Sequence, residues 1–260
     1  MSRPALEVQD LTCHFGGLQA VSQVDMLLPK GQITALIGPN GAGKSTAINL
    51  LCGFLRLTSG RVMLNGNDVT GKPSHELAKA GMVRTFQNGR LFSRLTVLQN
   101  ALVGNSSRAR AKLIDVVLRT KRFRTEEREL EERARQYLEQ FGLWTDADRL
   151  VTELPYGKQR QIELVRALVS APDVMLLDEP AAGLNSAEQE SLTQYLVGLR
   201  AKGMTVLLVE HHMGMVMQLA DQVIVLNFGK KIFEGTAKEA QASPRVAEAY
   251  LGRRSQHAGM

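Results

Sequence analysis

The chain has 260 residues, 44% of them apolar and 22% charged, and carries a formal net charge of +6. This is enough chain to bury a sizeable core and reads as a soluble globular protein rather than a disordered or fibrous one, while the positive balance suits an anionic ligand, nucleic acid or an anionic membrane face equally. No run approaches the roughly 18–20 apolar residues of a membrane-spanning helix, and the opening "MSRPALEVQD" lacks the apolar core of a secretory signal, so the expected compartment is the cytosol.

Residues 5–30 alternate in polarity ("LEVQ", then "VSQVDMLLPKG"), and 61–69 ("RVMLNGNDV") reads as a strand with an Asn-Gly turn. Together they predict an antiparallel β-subdomain. Cys13 and Cys52 lie far apart without metal-ligand spacing and are expected as buried small hydrophobes. "ITALIG" (33–38) is β-branched and apolar without alternation, the pattern of a strand covered on both faces. "STAINLLCGF" then carries Ile48, Leu51 and Cys52 at helical spacing.

Between strand and helix, Gly38, Gly41, Gly43, Lys44 and Ser45 match G-x-x-x-x-G-K-[ST]. Glycines let successive backbone N–H groups turn inward on a β-phosphate, and the helix N-terminus adds partial positive charge. Lys44 can reach the β- and γ-phosphates, and Ser45 offers a hydroxyl to Mg²⁺. The loop is expected to hold a nucleoside triphosphate.

From about 88 to 165 the pattern becomes helical. The strongly basic stretch 108–124 reads as a solvated connector or as a contact for a membrane protein or anionic lipid. "ELEERARQYLEQF" puts Leu130, Ala134, Tyr137, Leu138 and Phe141 on one face with charges opposite. In "LPYGKQRQIELVRALVS", Ile162, Val165 and Val169 predict an amphipathic helix over 158–170 with Gly157 near its start. Its N-terminus, reinforced by Lys158 and Arg160, can attract an anion. Since the first loop already serves this chain's phosphates, this second terminus is either merely capped or serves a nucleotide held by another subunit.

"DVMLLDEP" (173–180) is a further buried-strand run ending in two acids. In open α/β sheets ligands lie beyond the carboxyl ends of strands, so Asp178 suits a Mg²⁺ shell and Glu179 suits orienting or deprotonating water. "SAEQESLTQYLVGLRAKG" predicts a helix with Leu192, Tyr195, Leu196 and Leu199 inward, ended by Gly203. "MTVLLVEHH" is another buried strand, "QVIVLNFGKKIFEGT" a hairpin, and Met213, Met215 and Met217 are packing residues.

"GPNGAGKST", Gln87 in "RTFQNGRLF", "LPYGKQRQ", "VMLLDEP", "AAGLN" and "LLVEHHM", in this order, resemble an ABC-transporter ATPase subunit, most like that of branched-chain amino acid importers. The resemblance implies an α/β P-loop ABC ATPase fold with a mostly parallel core sheet, an antiparallel β-subdomain and a helical subdomain. It places the nucleotide-binding core in 5–87 and 166–240, the helical subdomain with the signature in 88–165, and a C-terminal helix and tail in 241–260. It implies that Phe15 stacks on adenine and that Pro39, Asn40, Ala42 and Thr46 complete the nucleotide loop. Gln87 would join Ser45 and Asp178 at Mg²⁺ and sense the γ-phosphate, alongside Glu179 and His211 as the catalytic residues. The signature Pro155, Tyr156, Gly157, Lys158 and Gln159 would close over a nucleotide bound by the partner ATPase. Pro155, Asn185 and His212 depart from the commonest family residues, which bears on turnover and not on fold.

ATP and Mg²⁺ are thus the implied ligands. The implied partners are a second ATPase subunit, two membrane permeases and an extracytoplasmic solute-binding protein, with no nucleic acid. The protein would sit peripherally on the cytoplasmic side of the membrane. Uptake of another solute such as urea or amides, or a non-transport role, are the alternatives.

Overall fold

The computed structural model describes residues 3–85, 91–104 and 120–251. Gln87 and most of the basic stretch therefore lie outside the described residues. The chain divides into two compact units, Met1–Arg84 with Asp173–Met260, and Thr85–Pro172.

The first unit opens with β1 (Leu6–Phe15), β2 (Leu18–Leu28), β3 (Ile33–Ile37), α1 (Lys44–Leu51), β4 (Ser59–Leu64), β5 (Asn67–Asp68), α2 (Ser74–Ala80) and β6 (Met82–Thr85). The second unit carries α3 (Val97–Val103), α4 (Lys121–Gln140) and α5 (Tyr156–Val169). The chain then returns through β7 (Val174–Asp178), α6 (Ser186–Ala201), β8 (Thr205–Val209), α7 (Met213–Leu219), β9 (Gln222–Asn227), β10 (Lys230–Gly235), α8 (Ala237–Ala242) and α9 (Pro244–Leu251).

Two sheets form the first unit. One runs β2-β1-β4-β5 and is antiparallel at each pairing. The alternating residues of β1 and β2 make it: Leu6, Val8, Val21 and Val24 point to the core, with polar neighbours between them. Asn65 and Gly66 supply the two positive-φ positions of the turn between β4 and β5. The other sheet runs β10-β9-β3-β8-β7-β6, with β9, β3, β8 and β7 parallel and β10 returning antiparallel as a hairpin. In β3, β7 and β8 every residue is buried, as continuous apolar runs require when both faces are covered. The register sets Leu36 and Asp178 each opposite Val209, so these strands end at one level.

In the second unit, α5 buries Ile162, Val165 and Val169 completely. Each such side chain contributes roughly 1.5–3 kcal/mol on leaving water. The helix starts at Tyr156, two residues before the expected 158, directly after Pro155 at the N-cap position, whose ring fixes its φ. Ala134 and Leu138 are fully buried positions of α4, and Phe141, just past its end, is buried as well. Among the described residues no helix is long and apolar enough to cross a membrane.

Candidate active site

The glycine-rich loop leaves the end of β3 and enters α1 at Lys44. It is held by the β9–β10 turn: the Gly229 amide donates to Ala42 O at 2.9 Å, and the Ser22 amide donates to Gly229 O at 2.8 Å. Two of its glycines are fixed by space as well as by backbone angle. A Cβ on Gly38 (φ 148°) would lie 2.2 Å from Leu226 O, and one on Gly43 (φ 102°) would lie 2.6 Å from Ala20 O. The loop wraps the Lys44 ammonium, which donates to Gly38 O at 2.7 Å and Pro39 O at 3.1 Å while only 7% of the residue is exposed. Asn40 and Ser45 are exposed on the loop, and Ala42 and Pro39 are buried beneath it. Thr46 is half-buried in the first turn of α1.

Asp178 and Glu179 follow at the end of β7. Asp178 is buried, and Arg84 Nη2 donates to its Oδ2 at 2.6 Å. Glu179 sits at φ 47°, a left-handed conformation rare for a side-chain-bearing residue and a strain that gathers at functional sites. Its amide donates to Val209 O and its carbonyl accepts from the Ala182 amide, which over-determine that conformation. His211 Nδ1 lies 3.9 Å from Glu179 Oε1, with the ring more than half exposed.

Glu210, between β8 and that histidine, is a further residue of the site that the sequence reading passes over. It is 1% exposed and accepts from the Ala181 amide at 3.1 Å, the His211 amide at 3.0 Å and the His212 amide at 3.3 Å. One buried carboxylate thus pins both the segment after Glu179 and the histidine loop. Its signal in sequence is an acid at the carboxyl end of a buried strand, the same signal that marks Asp178. His212 is the N-cap of α7, so the two histidines have different surroundings. Met215 is buried, and Met213 and Met217 are partly buried against the cluster that includes Ala35, Ile37 and Val216.

Phe15 ends β1, 49% exposed, at the tip of a hairpin whose second strand brings Ala20 beside Gly43 and Gly229. Tyr250 of α9 also reaches the loop: burial raises its phenol, and a backbone hydrogen bond at Gly38 partly offsets that. Cys13 and Cys52 are free and buried, and burial pushes the Cys52 thiol up to about 12 despite nearby Arg84.

In the second unit the signature opens α5. Gly157 is buried in the first turn, Tyr156 is 48% exposed, and Gln159 donates to Leu154 O at 2.9 Å. The cations of this turn are not left to reinforce an anion site. Lys158 donates to Asp146 Oδ2 at 2.6 Å, and this bond, over the cost of burial and with help from Arg149, holds the Asp146 carboxyl below its ordinary range. Arg160 donates to Glu163 at 2.8 Å and to the Tyr156 hydroxyl at 2.8 Å. Burial raises Glu163, and Arg160 only partly reverses that. What remains at the helix start is its backbone N–H groups.

At the end of "AAGLN", Asn185 accepts from the Glu188 amide at 3.0 Å and Glu188 accepts from the Asn185 amide at 2.9 Å, a reciprocal cap that starts α6. Asparagine caps about as well as aspartate, so this departure leaves the local structure intact.

The donor set suits a small hard cation carried in with phosphates. Mg²⁺ is commonly held by one or two carboxylates, substrate phosphates and water. Asp178 supplies one such carboxylate, and the exposed Ser45 adds a hydroxyl. Among the described residues no cluster of three His, Cys, Asp or Glu exists that would make an all-protein metal cage.

Residues 21–182 match the family described as ABC transporter. The chain belongs to that family, as an ATP-binding cassette ATPase. Residues 230–255, covering β10 to the C-terminal helix, match a second family described as branched-chain amino acid ATP-binding cassette transporter. The chain is 42% identical to the high-affinity branched-chain amino acid transport ATP-binding protein BraF of Pseudomonas aeruginosa, over 97% of this chain and 99% of that one. It is equally similar to LivG of Escherichia coli, described in the same words, over the same shares. An ATP-binding cassette of an ABC transporter crystallised in its ADP conformation superposes with a TM-score of 0.83 at 33% identity, covering 96% of this chain and 100% of that one. A dimeric bacterial ABC transporter cassette superposes at 0.74 with 25% identity, covering 89% of this chain and 98% of that one.

Proposed function

We propose that this chain is the ATP-hydrolysing subunit of an importer for branched-chain or related hydrophobic amino acids. The observation that carries the chemistry is the convergence of Lys44, Asp178, Glu179 and His211 beyond the carboxyl ends of adjacent parallel strands. The substrate class rests on the second family match at 230–255 and on what BraF and LivG are described as doing.

In this reading Lys44 and the loop amides bind the β- and γ-phosphates, and Phe15 stacks on adenine. Ser45, Asp178 and Gln87 hold Mg²⁺, which neutralises phosphate charge when bound. The Glu179 carboxylate polarises the attacking water, and the His211 ring contacts the γ-phosphate. The first turn of α5, from Pro155 to Gln159, meets the nucleotide of a second ATPase subunit through backbone N–H groups. Two permease subunits and an extracytoplasmic solute-binding protein complete the assembly, with this chain peripheral on the cytoplasmic side.

The test is reconstitution of the chain with its permeases and binding protein in vesicles. ATP-dependent leucine uptake that disappears with Lys44→Ala supports the reading. Leucine-independent uptake of another solute, such as urea, overturns the substrate class.

A further inference from the structure

Arg84 opens the stretch "RTFQNGRLF", in which the sequence gives a role only to Gln87, and it joins three elements of the site. Its side chain is 10% exposed. From β6 it donates through Nη2 to Asp178 Oδ2 at 2.6 Å and through Nη1 to Asn49 Oδ1 at 2.6 Å. Asn49 lies on α1, the helix that begins at Lys44, and Asp178 ends β7. The Phe54 ring covers the guanidinium, with Cζ 5.7 Å from the ring centre. A planar fork with two fixed donors, confined by an aromatic face, is a rigid bridge in a way a lysine cannot be.

The bridge has two physical consequences. It fixes the Asp178 carboxylate relative to the helix that carries the phosphate-binding lysine. It also places a full positive charge against that carboxylate in a poorly hydrated setting, where charges act strongly on one another. A divalent cation arriving alone meets an acid whose charge is already answered. A cation arriving with a triphosphate brings its own excess of negative charge.

We propose that Arg84 is a positioning residue that presets Asp178 and compensates its charge, so that the site takes a divalent cation together with the nucleotide and not by itself. This rests on Asp178 being the metal-side carboxylate.

The test is the thermal melting of the whole purified chain titrated with MnCl₂ or MgCl₂ in the absence of nucleotide. Wild type should show no saturable metal-dependent shift. Arg84→Gln should gain a saturable rise of several degrees, lost again in the Arg84→Gln, Asp178→Asn double variant. A folded Arg84→Gln that responds like wild type overturns the proposal, as does a wild type already stabilised by free metal.

Should the glutamine variant not fold, Arg84→Lys decides. A single ammonium keeps the charge but cannot span Asn49 and Asp178. Metal alone should then leave its melting unchanged, while kcat falls by roughly tenfold or more at nearly constant KM for ATP. Wild-type kcat in Arg84→Lys, or a metal-dependent shift in its melting, overturns the proposal. Asp178→Asn separates this from the site reading: full turnover in that variant sinks the metal-side assignment itself. Loss of turnover there, with an unresponsive Arg84→Gln, sinks only the role of Arg84.

Discussion

The two units use their charged residues in opposite ways. In the first, Glu179 and His211 follow the ends of β7 and β8, strands buried along their whole length. Lys44 opens α1 after the loop that leaves the equally buried β3, its ammonium held by the loop carbonyls of Gly38 and Pro39. In the second, Lys158 and Arg160 are committed to Asp146 and Glu163, and the start of α5 offers mainly amide groups. A rigid strand end can fix a side chain to a fraction of an ångström, which chemistry needs. A helix terminus needs no side-chain precision to hold an anion, so its cations are free to serve the stability of their own unit.

Breaking the first unit should give the largest effects. Lys44→Ala removes the buried ammonium around which the loop folds, and should abolish both ATP binding and turnover, read by nucleotide titration and phosphate release. Glu179→Gln preserves shape and removes the carboxylate. Turnover should fall by about 10²–10⁴ while ATP still binds. Normal hydrolysis in that variant would remove Glu179 from the role of base.

The paired histidines sharpen the comparison at smaller scale. His211 lies 3.9 Å from Glu179, whereas His212 occupies the N-cap position of α7. His211→Ala should cut kcat by about tenfold or more and spare binding, and His212→Ala should stay within a few-fold in the same assay. Equal damage from both would contradict the placement. Smallest is Asn185. Asn185→Ala should lose about 1 kcal/mol of stability by denaturant unfolding, and Asn185→Asp should be close to neutral.

The stretch from Ile33 to Leu51 was legible in sequence because its signals are local: an apolar run, spaced glycines, then helical periodicity. The same holds for the acids after β7 and for the buried stripe of α5. The surroundings of those residues were not. Arg84 and Asp178 are 94 residues apart, so nothing near "MVRTF" announces their contact. Lys158 is answered by Asp146 from twelve residues upstream, across two short turns, and periodicity does not report such partners. Glu210 was hidden by the histidines beside it. Two of its amide partners are its immediate neighbours, His211 and His212, but the Ala181 amide reaches it only once β7 and β8 are aligned.

The division of labour between the units is tested most directly by ATP affinity of the isolated, monomeric chain carrying Gly157→Asp. Gly157 is buried in the first turn of α5, and an aspartate there would crowd an approaching phosphate and oppose it with negative charge. If α5 serves the nucleotide of another subunit, the isolated variant should bind ATP as wild type does, while the assembled transporter loses its ATPase. A folded Gly157→Asp monomer that no longer binds ATP would contradict the account.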